Sequence, residues 1–264
     1  ISLKNEIRDV IDNYFTGTLF GEYTIIKGLK FRADASMNTR AGRLETYNGS
    51  FTYSGGPNST SGLNGSLGTL QTVQPMVRTS LNFDKTFNKT HRLNIYGAYE
   101  YSEYQYKFNQ IAGIQLPDET LGIRGIELGV ISPAPSTRSE TSSSALVSGL
   151  TQFNYNYKSK YYLTGSFRAD GSSKFRPENR WSYFPSGSVK WKMSEEPFFK
   201  KIKFISDANI RVSYGLTGNN RVGDFASYQP LNFNSPLTLN NVLQPNSAVV
   251  GALDNPDLKW EKAA

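Results

Sequence analysis

The stretch from Lys160 to Trp191, KYYLTGSFRADGSSKFRPENRWSYFPSGSVKW, alternates so regularly that it leaves few folds open. Side chains on a strand point to opposite faces with period two. Tyr161, Leu163, Gly165, Phe167 and Ala169 therefore share one face, and Tyr162, Thr164, Ser166, Arg168 and Asp170 the other. The second segment repeats the pattern, with Trp181, Tyr183, Pro185, Gly187, Val189, Trp191 and Met193 opposed to Ser182, Ser186, Ser188, Lys190 and Lys192. Two strands joined by a polar loop, each apolar on one side, read as part of a sheet or barrel wall.

Composition narrows the class. The 264 residues include 16 Tyr, 16 Phe and 23 Gly, a strand-rich make-up, and no run approaches the ~18 consecutive apolar residues of a membrane helix. Membrane contact, if made, falls to strands or to a surface patch. Cysteine is absent, which argues against a disulfide-bonded secreted glycoprotein, so the sequons at Asn48, Asn58, Asn64 and Asn88 read as chance. The net charge of +7 is spread over many segments and gathers only at Lys27 and Lys30, at Lys85, Lys89 and Arg92, at Lys158 and Lys160, and at Lys200, Lys201 and Lys203. That distribution speaks against nucleic acid as a partner. The opening ISLKNEIRDVIDNYF has none of the parts of a signal peptide, and the expectation is that the natural start lies upstream.

Alternating segments recur at about 14–26, 30–40, 74–85, 92–108, 143–157, 160–170, 180–193 and 207–217, with a ninth beginning near Leu258. Tight links at Ile26–Leu29, Phe87–Thr90 and Tyr157–Ser159 alternate with long polar stretches at Ala41–Gln71, Asn109–Glu140, Gly171–Asn179 and Gly218–Pro256. The link from Ser194 to Ser206 is longer and is expected to hold a short helical turn after Glu195-Glu196-Pro197. Long loops gathered at one end are the mark of an up-and-down outer-membrane barrel, whose closure leaves no backbone group unpaired in lipid. A soluble β-sandwich or β-solenoid that binds carbohydrate is the alternative. Tyr155, Tyr157, Tyr161, Phe167, Trp181, Tyr183 and Trp191 are candidates for the lipid face or its interface, although ordinary strand propensity accounts for aromatics equally well.

Catalytic chemistry finds little support. His91 is the one histidine and lies in the basic turn Asn88-Lys89-Thr90-His91, where a solvated turn residue is expected. Without cysteine, thiol nucleophiles and multi-histidine zinc sites fall away, and no metal or other cofactor is expected. Glu195-Glu196 are adjacent and do not make a glycosidase pair. Asp170-Gly171-Ser172-Ser173-Lys174 lacks the glycine spacing of a phosphate loop. Asp254-Asn255-Pro256-Asp257 reads as a turn rather than a calcium site, and a β-rich hydrolase is disfavoured. Arg168 and Asp170 share a face two residues apart, as a structural ion pair or loop anchor would.

Four stretches, NYNYKSKYYLTGSFRADGSSKF, RWSYFPSGSVKWKMSEEPFF, IRVSYGLTGNN with a following Gly-Asp, and LDNPDLKWEK, occur in one order and spacing. In these the chain resembles the SusC/RagA-type TonB-dependent outer-membrane transporters of Bacteroidetes. The resemblance covers about the second half of the chain; the first half agrees in pattern only. It implies an all-β, antiparallel transmembrane barrel of 22 strands, of which residues 1–264 would supply a segment of eight or nine. The plug and the TonB-contacting segment would lie outside this chain. It further implies a non-enzymatic transporter in the Gram-negative outer membrane, importing glycans or peptides with a SusD-like surface lipoprotein, drawing on TonB and touching lipid and lipopolysaccharide. On this reading the turn at Lys158–Lys160 faces the periplasm. Arg168, Asp170, Gly171, Ser172, Ser173 and Arg180 turn a wall strand at the outer rim; the substrate-contacting residues are not identified.

Overall fold

In the computed structural model, residues 5–133, 136–202, 204–229, 231–239, 242–251 and 253–264 are described, those at 232–239 and 242–249 by backbone alone. One antiparallel sheet holds most of them: β1 (Glu6–Ile26), β2 (Leu29–Asn48), β3 (Asn64–Phe87), β4 (His91–Ile114), the short β5 (Val130–Ile131), β6 (Arg138–Tyr157), β7 (Tyr161–Ser172), β8 (Trp181–Lys192) and β9 (Asn209–Gly215). The order is β1-β2-β3-β4-β6-β7-β8-β9, each strand beside its sequence neighbour, with β5 added to the far end of β4. Beyond it, β10 (Thr217–Asn219) pairs β13 (Glu261–Ala263), and β11 (Leu231–Leu239) pairs β12 (Val242–Val250). The sheet is open, with β1 and β9 as its edges among the described residues.

The eight alternating segments all form strands, but the first four are longer than their periodicity indicates. β1 begins at Glu6, β2 runs on to Asn48, β3 starts at Asn64 and β4 reaches Ile114. A strand of 24 residues spans roughly 80 Å at about 3.3 Å per residue. The outer parts of the long strands bury residues of both parities, Gly42 and Tyr47 on β2 and Ala112 and Gly113 on β4, so no single face is selected there and the alternation lapses. The polar stretches Ala41–Gln71 and Asn109–Glu140 thus shrink to the loops 49–63 and 115–137. The ninth segment appears as β13, starting at Glu261, and short 3-10 turns at Met193–Glu195 and Phe199–Lys201 flank Pro197.

Register shows why the alternation exists. Phe31, Leu81, Gly97, Thr151, Phe167 and Pro185 lie in one cross-strand row of one face. On that face Phe15–Ile25, Phe31–Ala41, Val73–Phe83, Leu93–Tyr101, Val147–Tyr157, Tyr161–Gly171 and Trp181–Trp191 contain no charged side chain at the odd positions. Leu19, Tyr23, Val77, Tyr99, Leu163, Val189 and Val212 stand exposed there. Buried polar residues occupy the other face, as expected of a sheet curling around it.

The short connections sit at one end. Phe87–Thr90 and Tyr157–Lys160 each close with an i to i+3 backbone hydrogen bond, of 3.1 and 3.0 Å. Positive φ at Asn88, Lys89, Lys158 and Ser159 makes both of the mirror-image type whose twist suits a hairpin. Successive hairpins are stitched together, the Lys158 N–H donating to Thr90 O at 2.7 Å and the Lys192 N–H to Lys160 O at 2.7 Å. His91 is not a solvated turn residue. It opens β4, half-buried, with Nδ1 2.6 Å from the Tyr155 hydroxyl and its ring 4.8 Å from that of Tyr157.

Two small apolar cores lie under the long loops instead of between layers. Tyr47, Leu116, Ile123 and Ile126 form one, where the 3-10 segment Glu119–Leu128, broken at Gly122, packs on β2 and β3. Phe175, Phe184 and Trp260 form the other, with Leu146, Leu216, Val222 and Leu258 around them.

Candidate functional site: the polar face and its rim

The polar face is organised by one cross-strand row. Asp34, Arg78, Glu100, Ser148, Asp170 and Ser182 are consecutive register partners across β2, β3, β4, β6, β7 and β8. Four of them, Asp34, Ser148, Asp170 and Ser182, are buried. Arg32 binds Asp34 Oδ1 through Nε at 2.9 Å and its terminal nitrogen at 2.7 Å, while Arg78 stands 3.7 Å from Asp34 Oδ2 and 3.9 Å from Glu100. Arg168 repeats the arrangement, with Nε 2.8 and 2.7 Å from the two Asp170 oxygens and a terminal nitrogen donating to Ser148 Oγ at 3.0 Å. The sequence carries the signal for this in a repeat, Phe-Arg-Ala-Asp, at 31–34 and again at 167–170. In both, alternation places Arg and Asp together on the polar side and Phe on the apolar side.

Among the described residues no group of three or more His, Asp or Glu is placed to hold a metal ion. What the arrangement can do is present half-exposed guanidinium groups above buried carboxylates, a fixed polar lining that needs no rearrangement to meet a hydrated solute. A groove of about 310 Å³ runs along this face beside Asn38, Gln74, Ser102, Tyr104, Ser144 and Lys174. A second, of about 530 Å³, lies between Arg168, Asp170 and the Phe184–Trp260 pair.

At the rim the structure brings the Arg168–Ser173 segment and Arg180 together. The Ser172 N–H donates to Arg180 O at 3.2 Å, and Ser173 exchanges bonds with Ala145, N–H to carbonyl at 2.9 Å and Oγ from the Ala145 N–H at 2.8 Å. The Trp181 indole covers Gly171 so closely that a Cβ there would stand 3.0 Å from it. Distant chain then closes over this turn. Trp260 Nε1 donates to Arg180 O at 2.9 Å, and Lys174 Nζ to Val222 O at 2.9 Å. Asp224 meets both Ser142 and Lys174, and Arg176 donates to Ser227 O at 3.1 Å. The four stretches singled out in sequence therefore converge, supplying Phe175, Phe184, Leu216 and Trp260 to one cluster. Asp224 belongs to the Gly-Asp that follows the third stretch, whereas Arg176 and Ser227 carry no sequence signal because their partners are far away along the chain.

The seven aromatic candidates all have the odd parity of the apolar face. Tyr155, Tyr157, Tyr161 and Trp191 gather at the short-turn end, with Tyr157 and Tyr161 stacked at 6.3 Å. Phe167, Tyr183 and Trp181 lie toward the long loops, the first two stacked at 5.9 Å. At the short-turn end Glu196 accepts from Lys160 Nζ at 2.8 Å, Tyr161 hydroxyl at 2.7 Å and Trp191 Nε1 at 3.3 Å. These donors, the Lys160 ammonium first, hold its carboxyl at about 2, well under the usual 4.5.

Comparison with known proteins gives this geometry a family. The TonB dependent receptor-like β-barrel family matches residues 5–264. TonB-dependent receptor P39 of Formosa agariphila is 30% identical over 95% of this chain and 23% of its own length. TonB-dependent receptor SusC of Bacteroides thetaiotaomicron is 42% identical over 33% of this chain and 9% of its own length. Among solved structures, the RagAB peptide transporter superposes with a TM-score of 0.82 at 21% identity, over 98% of this chain and 28% of that one. The chain thus spans about a quarter of the length of the P39 relative and of the RagAB chain. It belongs to the TonB-dependent receptor-like family of outer-membrane proteins, as a section of a SusC/RagA-type β-barrel.

Proposed function

We propose that this chain forms about a third of the wall of an outer-membrane importer, its apolar face toward lipid and its polar face lining the lumen. The observation that carries the reading is the separation of faces: a row with Asp34, Arg78, Glu100 and Asp170 on one side, and an uncharged, aromatic-bordered band on the other. A charge at the bilayer midplane costs about 2 to 4 kcal/mol on the lipid side and little on the lumen side. Open edges at β1 and β9 would leave backbone groups unpaired in lipid, so the reading requires further strands to complete the barrel, 22 in all by resemblance to the family.

The wall does no covalent chemistry on this account. Its role is geometric, holding a polar path open while TonB, acting on a plug domain elsewhere in the protein, drives uptake. Orientation follows from the loops: the Phe87–Thr90 and Tyr157–Lys160 turns face the periplasm, and the long loops face outward, where a SusD-like lipoprotein would cover the mouth and lipopolysaccharide would touch the outer rim. The Arg168–Ser173 segment with Arg180 serves as a structural rim. The cargo is a glycan or a peptide. The test is uptake by cells making the full-length protein. Uptake should stop when the proton-motive force is collapsed or TonB is deleted, and a lipoprotein should co-purify; uptake that persists without TonB would contradict the proposal.

A further inference from the structure

The short-turn end of the apolar face closes on one register row. Phe87, His91, Tyr157, Tyr161 and Trp191 are consecutive partners across β3, β4, β6, β7 and β8. Rings gathered at one depth mark the level where an apolar band meets polar headgroups. One row nearer the middle of the band, Lys85, Leu93 and Tyr155 are partners on the same face. Lys85 is the first charge met on β3 past the uncharged stretch that ends at Phe83. Two ammonium groups lie against the belt, Lys85 Nζ 5.1 Å from the centre of the Phe87 ring and Lys158 Nζ 5.1 Å from that of Tyr157. Lys89 and Lys158 occupy neighbouring turns, joined by the bond from the Lys158 N–H to Thr90 O. Both have positive φ, 58° and 52°, where glycine or asparagine would sit with less strain.

These three lysines lack counter-charges. Lys30, Lys160 and Lys192 pair with carboxylates at 2.7, 2.8 and 3.1 Å, whereas Lys85, Lys89 and Lys158 pair with none among the described residues. The nearest carboxylates are engaged elsewhere, Asp84 with Arg92 at 2.9 Å and Glu196 with Lys160, Tyr161 and Trp191. His91 and Tyr155 add a donor. Their 2.6 Å bond uses one hydrogen, and an imidazole with a phenol carries at least two, so one N–H or O–H is left for a ligand in either tautomer. The cluster is also interior to the sheet: β3, β4 and β6 lie between β2 and β7, so strands added at the β1 and β9 edges leave it uncovered. An acidic protein surface would satisfy the lysines but not a belt of rings on an apolar band. A phospholipid satisfies both, its phosphate at the ammonium groups and its chains along Leu93, Leu163 and Val189.

We propose that the turns Phe87–Thr90 and Tyr157–Lys160 bind the phosphate of an anionic phospholipid of the inner leaflet. Lys85, Lys89 and Lys158 supply the charge, and the His91–Tyr155 pair donates a hydrogen bond. The inference rests on the membrane orientation proposed above. The experiment uses the delipidated full-length receptor in detergent, titrated with phosphatidylglycerol, phosphatidylcholine and lipid A and read by native mass spectrometry. Phosphatidylglycerol should be held in preference to the other two. The combined variant Lys85→Gln, Lys89→Gln, Lys158→Gln should weaken its tightest site by about tenfold, and His91→Phe with Tyr155→Phe by a smaller factor. Lys27→Gln, at the β1–β2 turn, should leave that site unchanged. Equal affinity for phosphatidylglycerol and phosphatidylcholine, no loss in the triple-lysine variant, or as large a loss in Lys27→Gln would overturn the proposal. So would preference for lipid A, which belongs to the outer leaflet. The membrane reading is judged separately by gel mobility: a receptor with no heat-dependent shift removes that reading, whereas an intact shift with any of these contrary results removes the lipid site alone.

Discussion

The ring of Phe175 lies against the indole of Trp260, centroids 5.6 Å apart, and is wholly buried there although it belongs to a surface loop. Phe184 meets the same indole edge-on at 5.6 Å. The pair ties the β7–β8 loop to the chain that follows β9, so the long-loop end of these strands is held by a satellite core rather than by the sheet. Trp260→Ala should cost about 3 to 5 kcal/mol, the usual range for emptying a buried aromatic site. Urea unfolding of the full-length barrel in lipid, together with limited proteolysis at 216–229, measures it; a change within experimental error would show that the rim holds without the indole.

The two faces of β7 should answer a charge differently. Leu163→Arg places a guanidinium on the apolar face and should destabilise by about 2 to 4 kcal/mol near the midplane, whereas Thr164→Arg, on the polar face, should change stability by much less. Equal losses in a lipid-vesicle refolding assay would mean that the faces are not segregated.

Glu196 sets an acid limit on the short-turn end. Its carboxyl is depressed to about 2 from 4.5, so the stabilisation it brings is fully present above about 4.5 and is lost as pH falls toward 2. Hydrogen exchange at residues 193–202 should therefore speed up across that window in the native protein, after correction for intrinsic rates. In Glu196→Gln the acid response should shrink to the part that Glu195, paired with Lys192 and Lys200, contributes, and a response as large as the native one would assign the effect to Glu195 or another group.

Gly55→Ala should open the loop at 49–63, because Asn48 O stands where the methyl must go. Faster proteolytic nicking at 50–60 with unchanged heat-modifiability of the barrel is the expected result, and a loop as resistant as the native one would show that the backbone yields.

Much of this architecture was legible in the alternation. All eight long strands announce themselves by period two, since each must present unlike faces to unlike surroundings. The far ends of β2 and β4 do not, because they bury residues of both parities under the long loops, Gly42 and Tyr47 on one and Ala112 and Gly113 on the other, so alternation carries no signal there. His91 looked like part of a basic turn, yet its register partner Tyr157 and nearby Tyr155 on β6 draw it into an aromatic cluster. The Asp34–Asp170 row was half visible: alternation puts Arg32 with Asp34, and Arg168 with Asp170, on one face of their strands, but only register sets the two pairs in line. Contacts such as Arg180 O with Trp260 and Ser142 with Asp224 depend on how a long loop folds back, which no local pattern encodes.

The segregation of faces carries the whole account, and with any cysteine outside this chain replaced it is directly measurable, since these 264 residues contain none. Single cysteines at each position from Tyr162 to Arg168 in the full-length receptor, spin-labelled in lipid vesicles, can be probed for collision with oxygen and with a water-soluble nickel chelate. The prediction is two period-two waves in opposite phase, oxygen highest at Leu163, Gly165 and Phe167, and nickel highest at Tyr162, Thr164, Ser166 and Arg168. Waves in phase, or accessibility without any period, would contradict it.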